Sequence, residues 1–152
     1  MKKAAVILAF LVPLASFACK KSEPSPTPPP VTSPPTTLPA PVSIASATLG
    51  NAIGADKRVV TPAETFGTKD TIYASVETTG TGHAKLRALW TFVKGEKTSK
   101  VDETTIELDA TGPTVNEFHI SKPSGWPRGD YRVEIFLDDA ATPTATKSFK
   151  VS

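Results

Sequence analysis

From residue 42 to the end of the chain, apolar and polar side chains alternate with a period of two, the pattern of strands buried on one face. In the clearest case the odd-numbered positions of the sequence YRVEIFL, at 131–137, are apolar or aromatic, and Arg132 and Glu134 lie between them. No window has a helical period; residues 51–66 are the longest uncertain stretch, and a short strand is expected there at 58–61. Seven strands are predicted in all, at residues 42–49, 71–78, 85–93, 103–109, 116–121, 131–137 and 145–151.

Seven short strands within about 110 residues favour two antiparallel sheets packed face to face, because each sheet must cover its apolar side. We therefore predict an all-β sandwich over residues 42–152. The only cysteine of the chain, Cys19, lies before this range, so an internal disulfide is excluded and packing alone must stabilise the domain.

Two aromatic residues narrow the choice of sandwich. Trp90 lies in mid-strand, 14 residues after Val76, and Tyr131 stands in the sequence GDYRV. This arrangement resembles immunoglobulin-like domains, in which a third-strand tryptophan packs in the core and a tyrosine corner lies two residues before the second cysteine. The resemblance implies a disulfide-free immunoglobulin-like sandwich, with Val76 and Val133 at the two cysteine positions. Residues 118–137 also resemble the closing half of immunoglobulin-like modules on uncharacterised bacterial lipoproteins.

The first residues have the pattern of an export signal. The positive start MKK is followed at 4–14 by an apolar run of 11 residues, too short to span a bilayer as a helix. The sequence LASFAC at 14–19 then resembles the lipobox of bacterial lipoproteins. The resemblance implies a signal peptide at 1–18, cleavage between Ala18 and Cys19, and a diacylglycerol on the Cys19 thiol. The alternative is ordinary secretion, which leaves a free N-terminal cysteine.

Acylation of Cys19 predicts a membrane anchor. Each buried CH₂ contributes about 0.8 kcal/mol, so two or three acyl chains hold a protein stably where one chain is only marginal. The next residue is Lys20 and not Asp, which by resemblance to the enterobacterial sorting rule implies the outer membrane of the bacterial cell envelope. The expected location is therefore a lipid-anchored one, on its periplasmic or surface face.

The segment that follows is predicted to be a disordered linker. Residues 19–41 carry the lipidated cysteine and then a stretch made almost wholly of Pro, Ser and Thr, with too little apolar surface to offset the entropy of ordering. Proline density favours polyproline II at about 3.1 Å per residue, so some twenty residues reach roughly 60 Å. The linker is interpreted as a spacer. The alternative is a site of O-glycosylation at Thr27, Thr32, Ser33, Thr36 or Thr37.

Charge argues against a nucleic-acid partner. The formal net charge is +2, but from Val42 onward 13 basic residues stand against 14 acidic ones. Nucleic-acid binding needs a concentrated basic face that displaces counterions. The near balance of basic and acidic residues from residue 42 onward argues against such a face. The partners expected are the membrane, through the acyl chains, and an unknown envelope protein or glycan.

Catalytic chemistry has few candidates. The only histidines are His83, in a predicted glycine-containing hairpin loop, and His119, predicted to face outward beside Glu117 and Ser121. No GxSxG sequence is present, and two histidines 36 residues apart signal no third metal ligand. We predict that the chain is not an enzyme and binds no cofactor. The alternative is a small envelope hydrolase or metal-binding accessory that uses His83 or His119 with a loop carboxylate.

Two acidic pairs could in principle supply carboxylate ligands to calcium. Asp138-Asp139 is more simply a hairpin turn, and Asp102-Glu103 is expected in a loop before a strand; calcium needs six to eight oxygen ligands, which neither pair signals.

One loop is a candidate binding surface. Trp126 and Arg128 lie in the proline-rich sequence PSGWPRG, and these residue types are enriched in binding hot spots. The alternative is that Trp126 closes one end of the sandwich beneath Tyr131. We therefore predict a membrane-anchored immunoglobulin-like module that binds through its loops or strand edges. A structural accessory of a larger envelope assembly is the other non-catalytic interpretation.

Overall fold

The computed structural model of the chain describes residues 39–152. The predicted signal peptide, Cys19 and most of the linker lie outside the described residues. Those described contain no helix long and apolar enough to cross a membrane. They form eight strands, β1 (Ser43–Gly50), β2 (Thr65–Phe66), β3 (Ile72–Thr79), β4 (Thr81–Lys94), β5 (Lys97–Thr111), β6 (Thr114–Ile120), β7 (Gly129–Leu137) and β8 (Ala145–Val151).

The strands form two sheets. The smaller has the order β1-β3-β6 and the larger the order β2-β8-β7-β4-β5. All neighbours are antiparallel except β2 and β8, which pair in parallel over two residues. With β3 beside β6 in one sheet and β4, β7 and β8 together in the other, the order is that of an immunoglobulin-like sandwich. The predicted fold class is confirmed.

The core lies between the sheets and is built from the alternating positions of the strands. Trp90 at its centre is 0% exposed, and its ring packs edge-on to Phe149 with the centroids 6.0 Å apart. Val76 and Val133, at the positions of the immunoglobulin cysteines, are buried in the same cluster. Side-chain packing therefore takes the place of the disulfide, as predicted.

The tyrosine corner is also present. The Tyr131 hydroxyl donates a hydrogen bond to the carbonyl oxygen of Pro127 at 2.8 Å, which ties the start of β7 to the loop before it. The ring stacks on Phe149 with the centroids 5.3 Å apart. Burial raises the pKa of the Tyr131 phenol, because the charged phenolate loses solvation there.

Two predicted strands need correction. The strand expected at 58–61 is absent: Val59 and Pro62 form only isolated bridges, and the extra strand is β2 further along. The strand expected at 103–109 is longer in both directions, since β5 has fifteen residues, and Asp102 and Glu103 therefore lie within a strand and not in a loop. Both errors arise where the side chains are mostly exposed and period-two alternation is lost.

The connection between β3 and β4 is not the predicted hairpin. The two strands belong to different sheets, and the chain crosses between them at Gly80. Gly80 has a φ of 94°, and a Cβ there would overlap the carbonyl oxygen of Pro41. The next amide, Thr81 N–H, donates to the carbonyl oxygen of Ala40 at 2.9 Å. This crossing therefore holds the segment that leads into β1.

The sandwich has two distinct ends. At the entry end, the chain arrives at Ala40, and the first pair of β1 with β3 joins Ser43 to Thr79. At the far end, β3 begins, and its residue Tyr73 pairs with His119 near the end of β6. The six residue steps from Tyr73 to Thr79 correspond to about 20 Å along a strand. The loop that precedes β7 lies at the far end, because β7 starts there.

Candidate functional site

A concave feature whose lining combines acidic, basic, hydroxyl and aromatic side chains lies on one flank of the far end. It is bordered by β5 and β6, which follow each other in the chain but belong to different sheets. The space between them has a volume of about 440 Å³. We call it the flank recess; its lining includes Val101, Asp102, His119, Ser121, Lys122 and Trp126.

The recess exists partly because β5 is irregular at that level. The pairing of β4 with β5 shifts register after Trp90, which faces Asp102, so that Thr91 faces Lys100. Val101 is thus the extra residue of a β-bulge, and the residue is 36% exposed. A bulge bends its strand and re-aims the neighbouring side chains. Asp102 lines the recess beside this bulge.

The wall formed by the loop before β7 is held by hydrogen bonds to the segment between β2 and β3. The Trp126 amide donates to the Thr68 carbonyl oxygen at 2.7 Å, and its indole Nε1 donates to the Asp70 carbonyl oxygen at 2.9 Å. Lys69 Nζ donates to the Pro123 carbonyl oxygen at 2.8 Å. Three hydrogen bonds thus attach this loop to the segment before β3, and such support helps to position a binding site on a loop.

Trp126 itself is a buried residue, only 6% exposed. Its ring packs edge-on to Tyr131 with the centroids 6.1 Å apart, the position expected of a lid on this end of the sandwich. Trp126 is nevertheless among the residues that line the recess. Arg128 is exposed and does not line the recess. The structure thus separates two residues that the sequence grouped as one candidate binding loop.

His119 stands at the rim of the recess and faces outward, as its alternation with Phe118 and Ile120 predicts. Its Nδ1 lies 2.6 Å from Glu117 Oε1 on the same strand, and 57% of its side chain is exposed. On the neighbouring strand the Tyr73 ring lies against it, with the two ring centroids 5.5 Å apart. Glu117 thereby orients the imidazole through its Nδ1 atom.

The recess also holds two charges of opposite sign. Asp102 and Lys122 are exposed, and neither takes part in an ion pair among residues 39–152. The adjacent Glu103, by contrast, accepts from both Lys100 and Arg87, and these hydrogen bonds lower the pKa of its carboxyl. The charges that line the recess are therefore available, while those beside it are already paired.

His83 lies elsewhere, near the entry end, and within strand β4 rather than in the predicted loop. Its Nδ1 is 2.9 Å from Asp109 Oδ1 on β5. The hydrogen bond and charge of Asp109 raise the pKa of this imidazole. The carboxylates that partner the histidines, Asp109 and Glu117, both lie in strands, so the expectation of a loop carboxylate is wrong for each. The two histidines do not form a common site.

In the two acidic pairs, Asp138 and Glu103 make hydrogen bonds to other strands, whereas Asp102 lines the flank recess. Asp138 lies in the turn between β7 and β8, as predicted, with a φ of 54°, and its carboxylate accepts from the Lys85 amide at 2.9 Å. Within the described part of the chain, no three His, Cys, Asp or Glu side chains gather as a metal site would require.

Sequence reasoning singled out His119 and Trp126 but did not place them in one recess, and it missed Ser121 and Lys122 as lining residues. Asp102 was considered only as a calcium ligand. The recess depends on the bulge at Val101 and on the approach of two edge strands, and neither has a sequence signal.

The comparisons with known proteins concern the fold. No protein-family model matches the chain, and no curated protein matches it in sequence. An immunoglobulin-like protein from Pseudomonas aeruginosa is similar over 74% of this chain and 98% of its own, with 16% identity and a TM-score of 0.49. A β-glucosidase from Erythrobacter marinus is similar over 75% of this chain, with 9% identity and a TM-score of 0.49.

This chain spans only 16% of that β-glucosidase. An alkylpurine DNA glycosylase from Pseudomonas fluorescens, bound to DNA with an abasic site analogue, is matched over 30% of its length, with 16% identity and a TM-score of 0.45. All of these TM-scores lie under 0.5, so neither activity nor partner is inferred from these proteins.

Proposed function

We propose that this chain is a lipid-anchored, immunoglobulin-like binding module of the bacterial cell envelope, without catalytic activity of its own. The observation that carries the proposal is the placement of the flank recess. It lies at the far end of the sandwich, whereas the chain enters at Ala40 on the entry end. A site at the end opposite Ala40 suits a tethered binding module, because the chain that leads from the tether enters the domain at the other end.

The anchor is proposed at Cys19, on the lipobox-like residues that precede it. With two or three acyl chains the attachment is stable, and the proline-rich linker provides a reach of roughly 60 Å. The outer membrane is the proposed location, because Lys20 and not Asp follows the cysteine. An envelope protein or glycan is the proposed partner, bound through the far end.

The anchor is tested by comparing Cys19→Ala with Ser22→Ala, a matched control in the linker, in a bacterial host that processes lipoproteins. We expect labelled palmitate in the parent chain and in the control and none in Cys19→Ala, in which removal of the leader is also slowed. Intact leader removal together with unchanged membrane fractionation in Cys19→Ala would contradict the anchor.

Binding is tested by photo-crosslinking in intact cells, with the probe placed at Ser121 in the recess and, as a control, at Thr142 in the turn between β7 and β8. We expect one dominant crosslinked species from the Ser121 position alone. Identical patterns from the two positions would contradict a ligand site at the far end.

A second candidate function is hydrolysis. The observation that favours it is the Glu117–His119 pair at the rim of the recess, because a carboxylate that orients an imidazole is one element of a general base. The hydroxyl of Ser121 lines the same recess, but no hydrogen bond joins it to His119 among the described residues. Turnover of ester or amide substrates that His119→Gln abolishes and His83→Gln retains would establish this function; no turnover excludes it.

A further inference from the structure

We propose that the flank recess binds a neutral oligosaccharide, with one sugar ring in the recess and the next against the Tyr73–His119 ring pair at its rim. This inference rests on the proposed function, since it names the chemical class of the ligand for that site. A volume of about 440 Å³ lies at the small end of the range for ligand sites and suits a ligand of one or two rings.

The polar groups of the recess match the hydroxyls of a sugar. Asp102 offers only acceptors, Lys122 offers only donors, and Ser121 offers both. Each hydroxyl of a polyol donates one hydrogen bond and accepts others, so such a ligand satisfies all three groups at once. A ligand that only donates or only accepts would leave part of this set unpaired, which costs free energy wherever solvent is displaced.

The charges of the recess favour a ligand without net charge. One carboxylate, Asp102, and one ammonium, Lys122, line the same space, and neither is paired within residues 39–152. An acidic ligand would meet Asp102 and a basic one would meet Lys122, so either loses by repulsion part of what it gains by attraction. A neutral ligand with many hydroxyl groups loses nothing in this way.

The ring pair extends the site beyond the recess. The centroids of Tyr73 and His119 are 5.5 Å apart with the planes inclined at 42°, so together they form an aromatic ledge on the outer face of the smaller sheet. The C–H faces of a sugar pack on such rings by dispersion and burial of apolar area. Because His119 belongs to both the recess and the ledge, the two parts are continuous. The ligand is therefore expected to be longer than a single ring.

The site is built to bind without rearrangement. Tyr73 and His119 are strand residues in direct register, and the opposite wall is fixed through the two hydrogen bonds of Trp126. Ordering of loops and side chains is one of the main costs of association, and a site on paired strands avoids most of it.

The test uses the full processed chain in detergent and a panel of neutral, acidic and basic oligosaccharides together with a set of short peptides. Binding is measured by saturation-transfer NMR and by the change in tryptophan fluorescence. We expect millimolar to micromolar binding of neutral oligosaccharides, at least fivefold weaker in Asp102→Asn and in Tyr73→Ala, and unchanged in the controls Asp139→Asn and Lys147→Met. Circular dichroism verifies that each variant is folded.

Several outcomes would overturn the inference: binding only to acidic or basic glycans, binding only to peptides, neutral-sugar binding that Asp102→Asn and Tyr73→Ala leave intact, or no binding at all. The far-end crosslink at Ser121 separates these outcomes from the proposed function. If that crosslink forms to an envelope protein while sugars fail to bind, the saccharide site is wrong and the binding module stands. If it also fails, both are wrong.

Discussion

The two tryptophans of this domain occupy comparable depths but are held in opposite ways. Trp90 is 0% exposed and Trp126 is 6% exposed. The indole nitrogen of Trp90 has no hydrogen-bond partner among the described residues, whereas that of Trp126 donates to the carbonyl oxygen of Asp70 at 2.9 Å. Trp90 is surrounded by strands of both sheets, and Trp126 joins two loops at one end.

This difference indicates that one tryptophan stabilises the fold and the other positions a loop. A buried indole without a hydrogen-bond partner is held by packing alone. The apolar area that it buries offsets the free-energy cost of its unsatisfied N–H. An indole that donates to a backbone carbonyl oxygen also specifies where the donor and acceptor segments lie. Trp90 is therefore expected to determine whether the domain folds, and Trp126 to determine the shape of the recess.

The largest expected effect is that of Trp90→Ala. Truncation of a fully buried aromatic ring removes its burial and leaves a cavity between the sheets, so we expect a loss of about 3–5 kcal/mol in the free energy of unfolding. Urea denaturation followed by circular dichroism measures it. A loss below about 1 kcal/mol would place the centre of the core elsewhere.

Trp126→Ala is expected to cost less, about 2–3 kcal/mol, since the ring sits at the end of the sandwich and part of the loss is one hydrogen bond. Trp126→Phe sharpens the comparison, because it keeps an aromatic ring but removes the donor to Asp70. We expect Trp126→Phe to retain most of the stability while hydrogen exchange of the loop amides accelerates. Equal protection of the loop amides in Trp126→Phe and in the parent chain would contradict the positioning role.

Tyr131→Phe tests the link between the two regions, since the Tyr131 ring contacts both Trp126 and Phe149. Only the hydrogen bond to the Pro127 carbonyl oxygen is lost, and we expect a cost of about 1 kcal/mol. Phe92→Leu, beside the same ring, serves as a packing control that leaves this hydrogen bond intact. No loss in Tyr131→Phe would mean that the corner adds nothing to stability.

The smallest expected effect is the one that the Asp109–His83 pair at the entry end has on stability. The pKa of His83 is raised by Asp109, so we expect NMR titration to place it above the ordinary value of 6.5 and Asp109→Asn to lower it. Because the folded-state pKa is the higher one, the stabilisation is complete below the unfolded pKa and is lost as the pH rises through the folded pKa. Asp139→Asn is the matched control. An unchanged His83 pKa in Asp109→Asn would contradict the pairing.

Strands could be predicted from the sequence where their side chains are buried on one face only. The alternation around Val76, Trp90 and Val133 identified β3, β4 and β7, and the motif at Tyr131 identified the corner. The sequence was insufficient for β5, whose first nine residues are all exposed, so no apolar period marks them. The two-residue strand β2 is also beyond such reasoning, because it is defined by its pairing with β8 rather than by its own pattern.

The flank recess is harder still to predict. Asp102 and His119 lie on consecutive strands of different sheets, and what brings them into one recess is a bulge and the topology of two edge strands. The prediction of His119 as an outward-facing residue was right, since alternation determines which face a side chain takes. Alternation does not determine what stands beside that face, and for this reason the neighbouring ring of Tyr73 was not predicted.

The hydrogen bond from the Thr81 amide to the Ala40 carbonyl oxygen attaches the chain to the domain just before β1, and this attachment has a mechanical consequence. A load passing between the chain before Ala40 and a ligand in the recess would run lengthwise through the sandwich. It would reach β1 first, whose antiparallel pairing with β3 extends from Ser43 to Gly50. Hydrogen bonds between strands lie across this direction, so they would be strained together in shear and not peeled apart one by one. Such a load would therefore be carried by the β1–β3 pair as a whole.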